Sequence, residues 1–171
     1  MTPEDKSIIL SLPHAPGKSP VGTPGDILRH FECSDGRKLG LTLLHEALEN
    51  RDADEVELSM IVCSLFGGYD SEHLQVLLQL ADADFHQQHE SVVRLLGDLR
   101  SSAAVDVLER STQRAPEYLV DDGAELARKA TYALGKIPGP EAEAALTRLS
   151  DSDEEVIRRT ARKLLARRKN E

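Results

Sequence analysis

Apolar residues recur at three- and four-residue spacings from Asp26 almost to the end of this chain, and no segment alternates with the period of two that a half-buried strand requires. Short polar breaks such as "SDG", "NRDAD", "GGYDS", "ADADF", "RAP", "IPGP" and "SDSD" divide the pattern. Together they predict helices near 26–32, 38–50, 55–66, 71–81, 86–99, 103–114, 123–137, 140–149 and 153–168. Several open on Asp or Ser, whose side-chain oxygen can accept from the free amides of a first turn. Upstream, "PHAPGKSPVGTPG" (13–25) holds four prolines and three glycines, which predicts a linker. Thr2-Pro3 predicts the start of a short amphipathic helix over "PEDKSIILSL" that docks elsewhere. The expected organisation is residues 1–25 as N-terminal helix and linker, and 26–171 as an all-α body.

The body is self-similar. "VVRLLGDLRSSAAVDVL" (92–108) aligns with "ATYALGKIPGPEAEAAL" (130–146) at an offset of 38, setting Leu96 on Leu134, Gly97 on Gly135 and Leu108 on Leu146. "IVCSLFGGYDSEHLQVLL" (61–78) matches the first of these at an offset of 30, and "IRRTARKLLA" (157–166) falls on "ARKATYALGK" (127–136) at 30 again. The insertion "TQRAPEYLVDD" accounts for the longer middle step. Repeats of this size are helix pairs whose apolar faces are satisfied only by stacking on their neighbours. Gly97, Gly135, Ala130 and Ala133 are small enough to let helices approach closely. On "LARKATYALGKIPGPEAEAALTRLSDSDEEVIRRTARKLL" the chain resembles the HEAT-repeat superfamily in its short form of roughly 30 residues. The resemblance covers residues 38–168 and implies a right-handed α-solenoid of about four to five antiparallel helix pairs.

Composition fits helix-on-helix packing, with aromatic content of 4%, no Trp and apolar residues dominated by Leu and Ala. Formal charge is −9, but residues 154–171 hold seven Lys/Arg against three acids, which leaves −13 on the rest. An acidic body repels nucleic acid and favours a protein partner with a basic surface. Cys33 and Cys63 lack metal or disulfide-framework spacing, and the N-terminus has neither a signal-peptide nor a membrane-helix run, so a cytoplasmic protein is expected.

Two groups of residues invite chemistry. His86, His89 and Glu90 stand at i, i+3 and i+4, and His45-Glu46 forms a second pair. Imidazole and carboxylate on one helix face can share a transition metal. "HESVVRLLGDL" resembles the His-Glu motif of the HEAT-repeat enzyme family deoxyhypusine hydroxylase, which implies a di-iron-like hydroxylase as the alternative reading. The equivalent positions in the next repeats are Arg128-Lys129 and Arg158-Arg159, which cannot ligate metal. Those arginines, with Asp121, Asp122, Asp151 and Asp153 in the preceding turns, resemble the Asp/Arg ladders that tie HEAT repeats together.

The main expectation is a non-catalytic protein-binding scaffold without cofactor. Counting outward from Val92, Leu95, Leu96 and Leu99 exposes Glu90, Arg94 and Asp98. The same count exposes Lys129, Tyr132 and Lys136 in the next repeat and Arg159 and Arg162 in the last. The insertion adds Tyr118, Asp121 and Asp122, since loops on a rigid scaffold often carry recognition. Small acidic HEAT-like proteins resemble bacterial immunity proteins, whose partner is a basic toxin domain. A tetrapyrrole lyase like the phycobilin-associated HEAT-like proteins is a third reading, for which no pigment pocket is visible. No phosphate loop, nucleophile elbow or catalytic cysteine setting is present.

Overall fold

The computed structural model describes residues 1–12, 21–120 and 123–170. Among them every regular element is helical: α1 (Pro3–Leu10), α2 (Pro24–His30), α3 (Gly36–Asn50), α4 (Ala53–Leu65), α5 (Leu74–Asp82), α6 (His89–Leu99), α7 (Val105–Ser111), α8 (Ala124–Lys136), α9 (Pro140–Leu149) and α10 (Glu155–Arg168). Single 3-10 turns at Ser71–His73 and Ser102–Ala104 lead into α5 and α7. The expected all-α class therefore holds, and no described helix is long and apolar enough to cross a membrane. Most of the expected linker, residues 13–20, lies outside the described residues.

By its contacts the chain forms two compact units, Met1–Val76 and Leu77–Glu171, a division that does not coincide with the boundary expected at residue 25. In the first unit, α3 and α4 pack as a hairpin and α1 lies on α2 and α4. Thr2 and Asp5 form a reciprocal capping box at the start of α1, satisfying two amides that would otherwise be orphaned. Ile9 and Leu12 then enter a cluster with Ile27, Leu43, Leu58 and Val62, so the N-terminal helix is part of the core. Asp35 and Asp52 cap α3 and α4 by accepting from first-turn amides, those of Arg37 and Lys38 for Asp35 and that of Glu55 for Asp52.

The second unit stacks its helices in two rows. α6 packs on α8 and α8 on α10, while α7 and α9 pack on each other and against α8. Leu96, Leu108, Leu126, Leu134 and Leu146 have no solvent exposure, each burial contributing about 1.5–3 kcal/mol. Gly97 and Gly135 are the points of close approach. A Cβ at Gly97 would lie 2.7 Å from the Ala133 Cα, and one at Gly135 would lie 2.6 Å from a Leu164 methyl. Positions 38 residues apart thus do the same job at successive helix contacts, as the self-similarity implied.

Ion pairs also join residues 38 or 39 apart. Lys129 Nζ meets Glu90 at 2.7 Å, Lys136 Nζ meets Asp98 at 2.6 Å, and the Arg148 guanidinium forks onto Glu109 at 2.6 and 2.7 Å. Among the described residues these rungs do not involve Arg128 or Arg158. Arg128 forks onto Glu125 three residues earlier, and Arg158 donates to the Ser152 and Asp153 carbonyls. Asp121 and Asp122 lie outside the described residues.

Candidate functional site

The histidine group is a structural knot. α6 starts at His89, so His86 lies in the preceding turn, and both rings are almost fully buried. His86 Nδ1 accepts from the Gln88 amide at 3.0 Å, which places its hydrogen on Nε2, donated to the Leu80 carbonyl at 2.8 Å. His89 Nε2 donates to the Ala83 carbonyl at 2.7 Å, and its Nδ1 accepts from the Tyr118 hydroxyl at 3.0 Å. The rings stack with centroids 4.3 Å apart. Arg114 completes the arrangement by donating to the Ala81 and Ala83 carbonyls at 3.0 and 2.9 Å. A helix leaves its last carbonyls unsatisfied, and here three side chains from outside α5 fill that need.

Burial pushes the His86 imidazolium down to about 4 and lowers His89 in the same direction, so both rings are neutral near pH 7. Burial also raises the Tyr118 phenol, which keeps its proton for His89. With all four ring nitrogens engaged, His86 and His89 offer no lone pair to a metal. Glu90 is turned to Lys129, while His45 and Glu46 are exposed on α3 in the other unit. Among the described residues no group of three or more His, Cys, Asp or Glu side chains is placed to hold an ion. Tyr118, expected at a partner surface, is half-buried and anchors the insertion to His89 through its hydroxyl.

The outward positions of α6, α8 and α10 give a different picture. Glu90, Arg94, Lys129, Tyr132 and Lys136 line a cavity of about 180 Å³ between α6 and α8. Asp98 does not line it but binds two residues that do, Arg94 at 3.2 Å and Lys136 at 2.6 Å. Tyr132 also walls the next cavity, about 480 Å³ between α8 and α10, with Arg128, Val156, Arg159, Thr160 and Lys163. The Arg128 guanidinium sits over the Tyr132 ring at 5.5 Å, holding the ring as a ridge between the two. Arg162, expected on this face, donates to the Ser150 carbonyl at 3.0 Å and lines neither cavity.

Lys163 and Arg128 were not singled out by the outward count, although Lys163 follows Arg159 by four residues and so shares its face. Arg114 was also missed. Its partners are backbone carbonyls, which leave no sequence signal. Comparison of the chain with protein-family models, curated proteins and solved structures found no match.

Proposed function

We propose that the protein is a non-catalytic scaffold of the HEAT-like solenoid type, which binds another protein along the face made by α6, α8 and α10. The observation that carries this reading is the convergence of six outward residues, Glu90, Arg94, Lys129, Tyr132, Lys136 and Arg159, on two adjoining cavities that share Tyr132, with Asp98 bound to Arg94 and Lys136. Two-row stacking in the second unit and rungs spaced by 38 and 39 residues support the solenoid architecture. A rigid groove with a half-buried aromatic ridge and several arginines has the residue types that dominate binding at interfaces.

The acidic character of the chain resides mostly in the first unit, where residues 1–76 hold 13 acids against 6 bases. That unit favours a basic partner surface, in keeping with the expectation from net charge. An immunity-type role towards a toxin domain is the narrower form of this reading. It rests on resemblance and charge, and a toxin domain encoded beside the gene should then form a stoichiometric complex with this chain.

The general reading is tested by native mass spectrometry of untagged protein from its own host. A stoichiometric protein partner should be retained by the wild type and lost from an Arg94→Glu, Tyr132→Ala variant that keeps its helical circular dichroism. A partner retained equally by the variant would place binding elsewhere.

A further inference from the structure

The basic residues of α10 divide by what they touch. Arg158 and Arg162 are used on carbonyls of the turn after α9, and Arg168 on the Leu134 carbonyl at 3.0 Å and that of Ile137. These interactions neutralise the partial negative charge at the ends of neighbouring helices. Arg159, Lys163 and Arg167 make no such contact, and of these Arg159 and Lys163 face the α8/α10 cavity. Both are exposed, neither has an ion-pair partner among the described residues, and both line the larger cavity.

The rung pattern explains why these two are left over. At the α6/α8 step an acid faces a base, Glu90 against Lys129. The alignment that sets 157–166 on 127–136 places Arg159 at the position equivalent to Lys129, so the next rung of the same ladder pairs a cation with a cation. The α8 lysines are already drawn towards α6 by Glu90 and Asp98. Arg128 contributes a further positive charge to the α8/α10 cavity, partly offset by Glu125 and by Glu155, which also lines the cavity. Like charges brought together on a surface are destabilising unless an anion lies between them.

The floor is less polar than the walls, with Val156 half-buried, Thr160 buried and the Tyr132 ring along one side. At about 480 Å³ the cavity falls within the range of roughly 300–1,000 Å³ typical of ligand-sized clefts. From the broken rung, the two unpartnered cations and this floor, we infer that the α8/α10 cavity receives an acidic segment of a protein partner. Aspartate or glutamate carboxylates of that segment bridge Arg159, Lys163 and Arg128, and an apolar side chain lies against Tyr132 and Val156.

This assignment rests on the docking-face reading above, and it specifies the chemistry of the occupant. The segment completes a ladder that the chain leaves open, so recognition depends on charge at Arg159 and Lys163 and on contact area at Tyr132.

The test is selection of a phage-displayed library of random twelve-residue peptides on the full chain. Enriched peptides are then titrated by fluorescence anisotropy against the wild type, an Arg159→Glu, Lys163→Glu variant, its milder Arg159→Gln, Lys163→Gln counterpart, and Tyr132→Ala. Circular dichroism checks that each variant is folded, and a twelve-nucleotide oligothymidylate serves as a competing polyanion. The expected result is enrichment of acidic peptides that bind at least about tenfold more weakly to the reversed variant and by a smaller factor to the Gln pair.

Peptides that are neutral or basic but still weakened by Tyr132→Ala would overturn the acidic assignment and leave the docking face standing. Failure to enrich any peptide, or enrichment only of peptides indifferent to all three variants, would overturn both. Tighter binding of the oligothymidylate than of the best peptide would assign the cavity to nucleic acid instead.

Discussion

The close approach at Gly97 makes a quantitative demand on stability. In Gly97→Ala the new methyl would lie 2.7 Å from both the Cα and the Cβ of Ala133, whereas carbon atoms in favourable contact sit about 3.5–4.0 Å apart. Relief requires α6 and α8 to separate by about 1 Å, since the obstructing atoms are backbone and Cβ and have no rotamer to change. Overpacking of this kind costs about 1–3 kcal/mol, while replacing Gly by Ala in a helix interior returns up to about 1 kcal/mol. The net expectation is a loss of about 1–2 kcal/mol, which at a urea dependence of about 1–3 kcal/mol/M lowers the unfolding midpoint by roughly 0.3–2 M.

Gly135→Ala is the matched control. Its methyl would lie 2.6 Å from a Leu164 Cδ, the free end of a side chain that can rotate, so the same substitution there should be nearly neutral. Urea titrations followed by far-ultraviolet circular dichroism on the full chain measure both. Gly97→Ala as stable as the wild type, or Gly135→Ala the more damaging of the two, would refute the argument from close packing.

The buried histidines fix the direction of a pH effect. An imidazole whose ordinary value is 6.5 and whose folded value is about 4 binds its proton in the unfolded chain first. Stability is therefore complete above about pH 6.5 and declines as pH falls towards 4, with His86 alone costing about 2 kcal/mol at pH 5. His89 and His73 are lowered by burial too, and His73 Nε2 has no hydrogen-bond partner among the described residues, so they act in the same direction. Urea midpoints equal at pH 7 and pH 5 would contradict this. Tyr118→Phe removes the hydroxyl donated to His89 and should cost about 0.5–1.5 kcal/mol, with faster proteolysis in the 112–122 segment. Burial pushes the Cys63 thiol up to about 12, so in the native protein it should react with a thiol reagent far more slowly than half-exposed Cys33. Equal rates would mean that the α3/α4 hairpin opens readily.

The helices were legible because their signals are local. Apolar spacing, Asp caps and breaks such as "IPGP" lie within a few residues of the elements they define, and α9 begins at Pro140 as that break implied. Gly97 and Gly135 could be read as contact points because the repeat placed them in register. Less accessible were interactions whose acceptor is the backbone. His86, His89, Arg114, Arg158, Arg162 and Arg168 all terminate on carbonyls, and the side-chain sequence does not announce an unsatisfied helix end. The His-Glu spacing accordingly suggested a metal site where the structure has a cap, and the bond from Tyr118 to that cap gave no sequence signal. Conversely, the outward count on α6 and α8 placed residues correctly on one face because only helical period was needed to find it.

The central claim concerns which surface meets the partner, and site-specific photocrosslinking in the native host measures that directly. A benzoylphenylalanine placed in turn at Arg94 and Arg159 on the groove, and at exposed Glu143 on α9, which lines neither cavity, compares surfaces within one protein. Adducts to a single protein from Arg94 and Arg159 but not from Glu143 are the predicted result. Adducts from Glu143 with none from the two groove positions would show that the partner docks elsewhere.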